Sequence, residues 1–453
     1  MTALHFAKAL TPDGWRADVR LTLSDGRIAA REDGVPPRPG DKRHALGVPA
    51  IANVHSHAFQ RAMAGLAEIR GSSRDTFWTW RETMYRFALG MSPDDVEAVA
   101  AELYVEMLEA GFGAVAEFHY LHNAPDGAPY AERAELAARI VAAANRAGIG
   151  LTLMPAFYAH ATFGGAPPRP EQRRFILDLD GFARLFDDCR ALVRGRADDV
   201  VGVAPHSLRA ATPAEIAALV ALAGEAPIHI HVAEQVKEVD DCVAWSGARP
   251  VRWLIDHAPV DRRWCCVHAT HMDDGEARDL AKTGAVAGLC PITEANLGDG
   301  VFNAAPYFAA GGRFGIGSDS DVDIGVAAEL KQLEYAQRLS ARARNICAKA
   351  GGSTGRALFD AAAAGGAQAL ARDCGRLAAG AVADIVSLDR DSPYLVGRED
   401  DQILDAWIFA AGNRAIDCVW SGGRKLVSGG RHLARDAVAA RFAAAARALA
   451  ARQ

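Results

Sequence analysis

Several histidines and acidic residues of this sequence stand where short apolar segments end. Six of them have side chains that bind metal ions or transfer protons: His55, His57, His231, Glu234, His268 and Asp319. His55 and His57 are two residues apart, so on a β-strand both side chains lie on the same face. Imidazoles and carboxylates are ligands of divalent metals, and both groups also act as general acids or bases. The set therefore predicts metal-dependent hydrolytic chemistry.

Eight short apolar segments alternate with Ala-, Glu- and Arg-rich stretches of helical spacing. The segments are 48–54, 113–118, 149–157, 200–204, 227–232, 264–269, 284–290 and 313–318. This alternation is typical of a parallel sheet, and eight units over about 250 residues or more favour an α/β fold of the (β/α)8 TIM-like barrel type. A single histidine in a strand is more often a packed or surface residue than a ligand. The prediction rests on convergence, because strands 1, 5, 6 and 8 would present these groups at one rim.

Both ends of the chain have a β-like pattern. The segment 18–30 alternates apolar and polar residues and contains the turn pair Asp25-Gly26, a strong hairpin signal. The segments 375–389 and 418–430 are two further strand-and-turn units. We expect a small β-sandwich domain built from 1–48 and 371–432, a barrel over 49–370, and a C-terminal helix over 433–453. That helix is expected to be a surface helix or a dimer contact.

The composition is that of an ordinary globular protein. The chain has 453 residues, 50% of them hydrophobic, and a net charge of −6. These values exclude a wholly disordered chain and give no electrostatic case for binding nucleic acid or anionic membranes. The sequence contains no bilayer-spanning apolar run and no recognisable signal peptide. Its eight cysteines form no CxxC pair, so we expect reduced thiols and a cytoplasmic protein.

The motifs resemble those of the amidohydrolase superfamily over residues 18 to about 430. The matching elements are His55-x-His57, His231-x-x-Glu234, His268 and Asp319. The resemblance implies one metal ion per subunit, held by His55, His57, His231 and Asp319. Zinc is expected, and iron is also compatible with these ligands. Two-metal members bridge their ions through a carboxylated lysine of strand 4, but no lysine occurs anywhere from residue 43 to 236.

Three stretches, 55–66, 229–235 and 290–300, resemble the formiminoglutamate deiminases of that superfamily. The resemblance implies release of ammonia from N-formimino-L-glutamate, a small dicarboxylate, in histidine degradation. Asp319 would accept a proton from the attacking water, Glu234 would protonate the imino nitrogen, and His268 would orient the water. By the same resemblance five residues would bind the substrate: Gln60, Arg81, Tyr120, His206 and Arg209.

Other interpretations of these residues stay open. Arg81 is also compatible with a solvated helix charge, His206 with a structural cap and Tyr120 with core packing. Within the superfamily the alternative substrate is a purine, pyrimidine or triazine ring, although arginine-bearing loops favour an anionic, acyclic molecule. Outside enzymes, the alternative is a non-catalytic barrel that serves as a binding module. Relatives of this size commonly form dimers, so a homodimer is expected.

Overall fold

The computed structural model describes residues 2–71 and 75–452. The ends of the first and last predicted segments, Met1 and Gln453, lie outside the described residues. The strands, in chain order, are β1 (Thr2–Thr11), β2 (Gly14–Ser24), β3 (Arg27–Glu32), β4 (Lys42–Pro49), β5 (Ile51–Ser56), β6 (Phe112–His119), β7 (Gly150–Phe157), β8 (Val200–Val201), β9 (Ala204–Pro205), β10 (Ile228–Val232), β11 (Trp264–His268), β12 (Val286–Leu289), β13 (Arg313–Ile316), β14 (Ile385–Leu388), β15 (Ile416–Ser421), β16 (Arg424–Ser428) and β17 (Arg431–His432).

Helices connect the central strands and follow the last one. In chain order they are α1 (Phe77–Gly90), α2 (Pro93–Glu109), α3 (Glu135–Ala147), α4 (Leu179–Val193), α5 (Pro213–Ala223), α6 (Val236–Ser246), α7 (Pro250–His257), α8 (Asp274–Thr283), α9 (Pro291–Leu297), α10 (Ala304–Ala309), α11 (Val326–Ala341), α12 (Thr354–Ala369), α13 (Asp401–Ala406) and α14 (Arg435–Ala450). Short 3-10 helices cover Ala58–Met63, Pro170–Gln172 and Gly412–Ala415, and a π-helical turn covers Trp407–Ala411.

The strands from β5 to β13 form the barrel that the sequence predicts. β5 to β8 pair in parallel, β9 continues the fourth strand beside β7, and β10 to β13 form a second parallel run. Backbone hydrogen bonds join the two runs. At one junction the His231 N–H donates to the His206 carbonyl at 3.1 Å, and at the other the His57 N–H donates to the Asp319 carbonyl at 3.0 Å. Most of these strands are buried along their whole length, which explains their continuous apolar sequence.

The two chain ends share one eight-stranded sheet, in the order β17-β16-β15-β14-β4-β1-β2-β3. β4 pairs with β1 on one side and with β14 on the other, so N- and C-terminal strands meet in its centre. The predicted hairpin is present, and Asp25 and Gly26 have φ of 51° and 79°. The sheet is curved, so that β3 at one edge approaches the segment just before β14. There the Ile28 N–H donates to the Ala381 carbonyl at 2.9 Å. A separate core that includes Phe6, Leu21 and Trp420 fills the space between its halves.

The C-terminal helix α14 packs along α2. Val438 and Leu449 are buried at this contact, while Arg435 pairs with Glu102 at 2.6 Å. Arg441 forms a second ion pair with Glu97 at 3.0 Å. The helix predicted over 433–453 is therefore docked on the barrel of its own chain.

Helix α1 lies over the mouth of the barrel, and a buried arginine anchors its end. Arg174 is wholly buried, and its guanidinium donates to the carbonyl oxygens of Ala88, Met91 and Asn123, the last two at 2.8 Å. Its remaining nitrogen contacts the Tyr130 hydroxyl at 3.3 Å. The carbonyls at the end of a helix carry partial negative charge and suit a cationic donor. Arg174 therefore fixes α1 relative to the loops that follow β6 and β7.

None of the helices in the described part of the chain combines the length and the apolar character that crossing a membrane requires.

Replacing Arg174 by Met is expected to lower the free energy of unfolding by about 2–4 kcal/mol, because several buried carbonyls lose their donor. The measurement is urea unfolding of the purified variant. The matched control is Arg173→Met, whose guanidinium bonds exposed carbonyls of Pro125 and Pro170. Equal stability of the two variants would show that Arg174 does not anchor α1.

Candidate active site

Three histidine side chains from the first and fifth barrel strands meet at the carboxyl end of the barrel. Nε2 of His55 lies 3.1 Å from Nε2 of His57 and 3.1 Å from Nε2 of His231, and the latter two atoms are 3.3 Å apart. Oδ1 of Asp319 lies 3.3 Å from Nε2 of both His55 and His57. All four residues are buried. Ligands that share one tetrahedral metal ion lie about 3.4 Å from one another, so the spacing fits such an ion.

The other ring nitrogen of two of these histidines fixes the tautomer. Nδ1 of His57 lies 2.9 Å from the Phe118 carbonyl, and Nδ1 of His231 lies 2.8 Å from the His206 carbonyl. A carbonyl only accepts, so the proton sits on Nδ1 and a lone pair remains on Nε2. Burial lowers the pKa of both imidazoles, which keeps them neutral. Lone pairs that face one another in a buried space repel, and a cation between them removes the repulsion.

Asp319 reaches the cluster because the eighth strand approaches the first very closely. A Cβ on Gly317 would lie 2.8–2.9 Å from backbone atoms of His55, so only glycine fits. Asp319 itself has φ 49°, a conformation that costs about 1–3 kcal/mol and is concentrated at functional sites. Burial alone would raise the pKa of its carboxyl, but the His55, His268 and His57 side chains outweigh burial and hold that pKa well below its usual range. Asp319 is therefore ionised.

His268, at the end of β11, has its imidazole among carboxylates. Its Nδ1 lies 3.3 Å from Oε1 of Glu294, an oxygen that also accepts the Cys290 N–H at 2.9 Å. Its Nε2 lies 3.8 Å from Oδ2 of Asp319. Burial lowers the pKa of His268, but Glu234, Glu294 and Asp319 outweigh burial and raise it to about 10. The ring is therefore a cationic donor beside the cluster.

Glu234 follows β10 and is buried beside the same cavity. Burial raises the pKa of its carboxyl to about 7, against the opposing charges of His268 and Arg209. Oε2 of Glu234 lies 3.6 Å from the Arg209 guanidinium. A carboxyl with a pKa near neutrality transfers protons in both directions efficiently.

Two guanidinium groups supply positive charge to the cavity. Arg209 follows the fourth strand, and Arg81 comes from α1. Within residues 2–71 and 75–452, neither buried Nε atom has a hydrogen-bond partner. Both groups face the Trp78 ring, at 4.6 Å for Arg81 and 5.9 Å for Arg209. Buried donors without partners are costly, so these groups suit an anionic ligand that accepts from them.

Two further predicted residues form a hydrogen-bonded pair. Nε2 of Gln60 donates to the Tyr120 hydroxyl at 2.8 Å, and that hydroxyl in turn donates to Sδ of Met84, a weak acceptor 3.8 Å away. Oε1 of Gln60 is buried without a partner in the described part of the chain. The His206 ring lies 4.5 Å from the Tyr158 ring, and burial lowers its pKa far enough to keep it neutral. His206 thus contributes a carbonyl to His231 and an imidazole to the cavity.

A cavity opens at the barrel mouth, and the centre of a water molecule can occupy about 50 Å³ of it. The predicted residues that line it are His57, Gln60, Arg81, Tyr120, His206, Arg209, His231, Glu234, His268 and Asp319. His55 lies beneath them, in the metal-ligand cluster. The structure therefore brings together every residue that was predicted for the site.

Sequence reasoning missed several lining residues, mainly aromatic ones. They are Phe77, Trp80, Met84, Tyr85, Tyr158, Phe175 and Leu297. Tyr158 directly follows β7, so the strand-end rule that found the histidines would also have found it. No comparable signal marks Phe175 or the α1 residues, because long connections bring them to the cavity. The role of Glu294 as the partner of His268 was missed as well.

Comparison with known proteins agrees with this geometry. Residues 47–426 match the amidohydrolase family. The chain belongs to that family. Residues 1–45 of this amidohydrolase also match the N-terminal domain of formimidoylglutamate deiminase HutF. The N-terminal strands of the small sheet thus match one known family model, and the barrel matches another.

The amidohydrolase is similar to two kinds of characterised deaminase. It is 50% identical to the formimidoylglutamate deiminase of Pseudomonas aeruginosa, over 98% of each chain. It is 30% identical to a 5-methylthioadenosine/S-adenosylhomocysteine deaminase of Natronomonas pharaonis, over 85% of this chain and 82% of that one.

Solved structures share the fold. A crystal structure described as an amidohydrolase from Brucella melitensis superposes with a TM-score of 0.96 at 56% identity, covering 99% of this chain and 100% of that one. An adenosine deaminase from Xanthomonas campestris, solved with bound zinc, superposes with a TM-score of 0.81 at 21% identity, covering 100% and 98%.

The cluster of three histidines and Asp319 leads to a prediction about zinc binding. His57→Ala is expected to weaken zinc binding at least about 100-fold, because it removes one of the converging lone pairs. The measurement is zinc per chain by mass spectrometry after dialysis against a weak chelator. His160→Ala is the control, since His160 pairs with Glu215 away from the cluster. Retention of zinc by His57→Ala would remove His57 from the ligand set.

Proposed function

We propose that this amidohydrolase hydrolyses N-formimino-L-glutamate to N-formyl-L-glutamate and ammonia, a step in histidine degradation. The observation that carries the proposal concerns two arginines, Arg81 and Arg209, which line the same cavity as Glu234 and His268. Each has a buried Nε without a hydrogen-bond partner in residues 2–71 and 75–452. A substrate with two carboxylates supplies the acceptors that these donors lack. The name of the 50% identical relative from Pseudomonas aeruginosa points to the same substrate.

The proposed metal site consists of His55, His57, His231 and Asp319, holding one divalent ion per subunit. Zinc suits three imidazoles and a carboxylate best, and iron is the alternative. When bound, such an ion acidifies water so that hydroxide is available as a nucleophile near neutral pH. A bridging lysine for a second ion has no counterpart, because the sequence has none from residue 43 to 236.

Asp319 and His268 are proposed to act on the attacking water. The ionised Asp319 accepts a proton from the water as its oxygen adds to the formimino carbon. The cationic His268, held by Glu294 at 3.3 Å, donates a hydrogen bond to the oxygen and stabilises the negative charge that develops on it.

Glu234 is proposed to move the proton to the leaving group. As the carbon–oxygen bond forms, the C=N bond becomes a single bond and its nitrogen takes a proton from Glu234. The remaining hydroxyl proton then passes to the same nitrogen and makes it a leaving ammonia, while the proton that Asp319 accepted from the water returns Glu234 to its acid form. The carbon–nitrogen bond then breaks, ammonia leaves and the formyl C=O remains. A carboxyl whose pKa is about 7 suits both the donation and the return of the proton.

The substrate carboxylates are proposed to bind on the arginine side of the cavity. Arg209 and Arg81 supply charged donors, and the Tyr120 hydroxyl, which accepts from Gln60 at 2.8 Å, supplies a neutral one. His206, neutral and half-buried, completes this side. These contacts would hold the acyclic dicarboxylate so that its formimino carbon lies beside Asp319.

The alternative deaminase substrates fit this cavity less well. A neutral purine, pyrimidine or triazine ring offers no anionic acceptor to the buried Nε donors of the two arginines, and an unsatisfied buried donor costs about 1–3 kcal/mol. A non-catalytic binding module would not need a buried set of metal ligands, an acid near neutrality and a cationic histidine in one cavity. We also propose a cytoplasmic homodimer, with the eight free cysteines in keeping with a reducing compartment.

The first test is ammonia release from N-formimino-L-glutamate by the purified, zinc-loaded chain. We expect release with N-formyl-L-glutamate as co-product, complete loss after dialysis against a chelator, and recovery when zinc is added back. The ring substrates adenosine and cytosine serve as controls and are expected to give no ammonia. Folded, metal-loaded protein that releases none from the formimino substrate would contradict the proposed function.

Arg209→Ala is expected to raise KM for N-formimino-L-glutamate about 10–100-fold, because one charge-assisted hydrogen-bonded pair is lost. The measurement is steady-state kinetics of ammonia release. Arg190→Ala, on an exposed part of α4, is the control and should leave KM unchanged. An unchanged KM in Arg209→Ala would remove Arg209 from the substrate site.

A further inference from the structure

Glu238 is a buried carboxylate for which the proposed reaction has no use. It lies in the first turn of α6, four residues after Glu234, and is wholly inaccessible to solvent. A buried carboxylate is stable only when nearby donors and charges compensate its lost hydration. The groups that contact the Glu238 carboxylate therefore indicate which part of the structure it stabilises.

The Glu238 carboxylate binds the backbone on which Glu234 stands. Its Oε1 accepts the Ala233 N–H at 3.2 Å, and its Oε2 accepts the Glu234 N–H at 3.1 Å. Ala233 has φ 53°, a strained conformation for an alanine. Two hydrogen bonds from one carboxylate thus hold the bend that turns Glu234 into the cavity.

The same carboxylate also faces the substrate-binding arginine. Oε2 of Glu238 lies 4.0 Å from the Arg209 guanidinium, which is itself 3.6 Å from Oε2 of Glu234. Arg209 is therefore shared between two glutamates, one in the cavity and one behind it. The rear glutamate compensates the arginine charge, which leaves Glu234 less tightly bound to it.

We propose that Glu238 is a positioning residue that fixes Glu234 and Arg209 relative to each other, so that the proton-transferring end and the carboxylate-binding end of the cavity depend on one buried side chain. The inference rests on the proposed function and adds to it a residue that does not touch the substrate. Without the Glu238 charge, Arg209 would pair with Glu234 alone. That pairing would withdraw the arginine from the substrate and the glutamate from proton transfer.

A second glutamate of the chain provides a matched control. Glu276 occupies the corresponding position in the first turn of α8 and is also buried. It accepts the Asp273 and Arg252 N–H groups, both at 3.0 Å, and contacts an arginine, Arg249, at 2.8 Å. It does not line the barrel-mouth cavity. A purely structural role for such glutamates predicts the same behaviour at both positions.

The experiment compares Glu238→Gln with Glu276→Gln in the full, zinc-loaded chain. For Glu238→Gln we expect kcat for N-formimino-L-glutamate to fall at least about 10-fold, and Kd for N-formyl-L-glutamate, measured by calorimetry, to rise at least about 10-fold. For Glu276→Gln both quantities should stay within about 2-fold of the wild-type values. Wild-type zinc content in both variants confirms that the metal site is intact.

The proposal is overturned if both quantities are unchanged in Glu238→Gln, or if only one of them changes, because a shared support must affect both ends. It is also overturned if Glu276→Gln shows the same losses. A wild-type chain that releases no ammonia refutes the proposed function, whereas an active wild type with an unaffected Glu238→Gln variant refutes only the role of Glu238.

Glu238→Asp keeps the test decisive if the glutamine variant does not fold. The shorter side chain retains the charge but withdraws from the N–H groups of Ala233 and Glu234. We expect kcat to fall about 10-fold while Kd for N-formyl-L-glutamate stays within about 3-fold of wild type. Unchanged kcat in this variant would overturn the proposal.

Discussion

The constraint on which this structure depends is the convergence of three imidazole rings in one buried space. The rings of His55, His57 and His231 approach one another at 3.1–3.3 Å between Nε2 atoms, with the Asp319 carboxylate beside them, and a cation between them would stabilise this arrangement. The barrel supplies this convergence through its backbone. Hydrogen bonds at the junction of the first and eighth strands and at that of the fourth and fifth strands fix the ligands. The hydrogen bonds that close the barrel therefore also position the side chains of the candidate site.

Around this cluster the charges alternate across the cavity. The cationic His268 lies among carboxylates, Glu234 follows with a pKa near neutrality, and Arg209 carries the next positive charge. Each charge compensates its neighbour, so the side chains stay buried in the absence of substrate. Strained backbone at Asp319, His268 and Ala233 marks the same strand ends. The positive φ values therefore occur where the backbone directs Glu234, His268 and Asp319 into the cavity.

The sequence predicts the barrel and the candidate metal ligands because both follow from short-range patterns. Strand ends are visible as apolar runs, and His55, His57, His231 and Asp319 all lie at or within three residues of the end of one. The aromatic lining escaped prediction because α1 and the segment around Phe175 cross the barrel mouth over long connections, and Arg174, which anchors them, has no local signature. Adjacent residues can also point in different directions, which the sequence alone does not show. The Gln60 side chain lines the cavity, whereas the Arg61 side chain points away from it and pairs with Glu106 at 2.8 Å.

The sheet built from both chain ends has a consequence for synthesis on the ribosome. β4 forms its first pairing early, with β1, but its other edge waits for β14, about 340 residues later. At about 5–20 residues per second this delay lasts roughly 20–70 s. During that time β4 presents an open strand edge, the kind of surface that recruits foreign strands. The open edge of β4 is thus exposed during synthesis until β14 emerges and pairs with it.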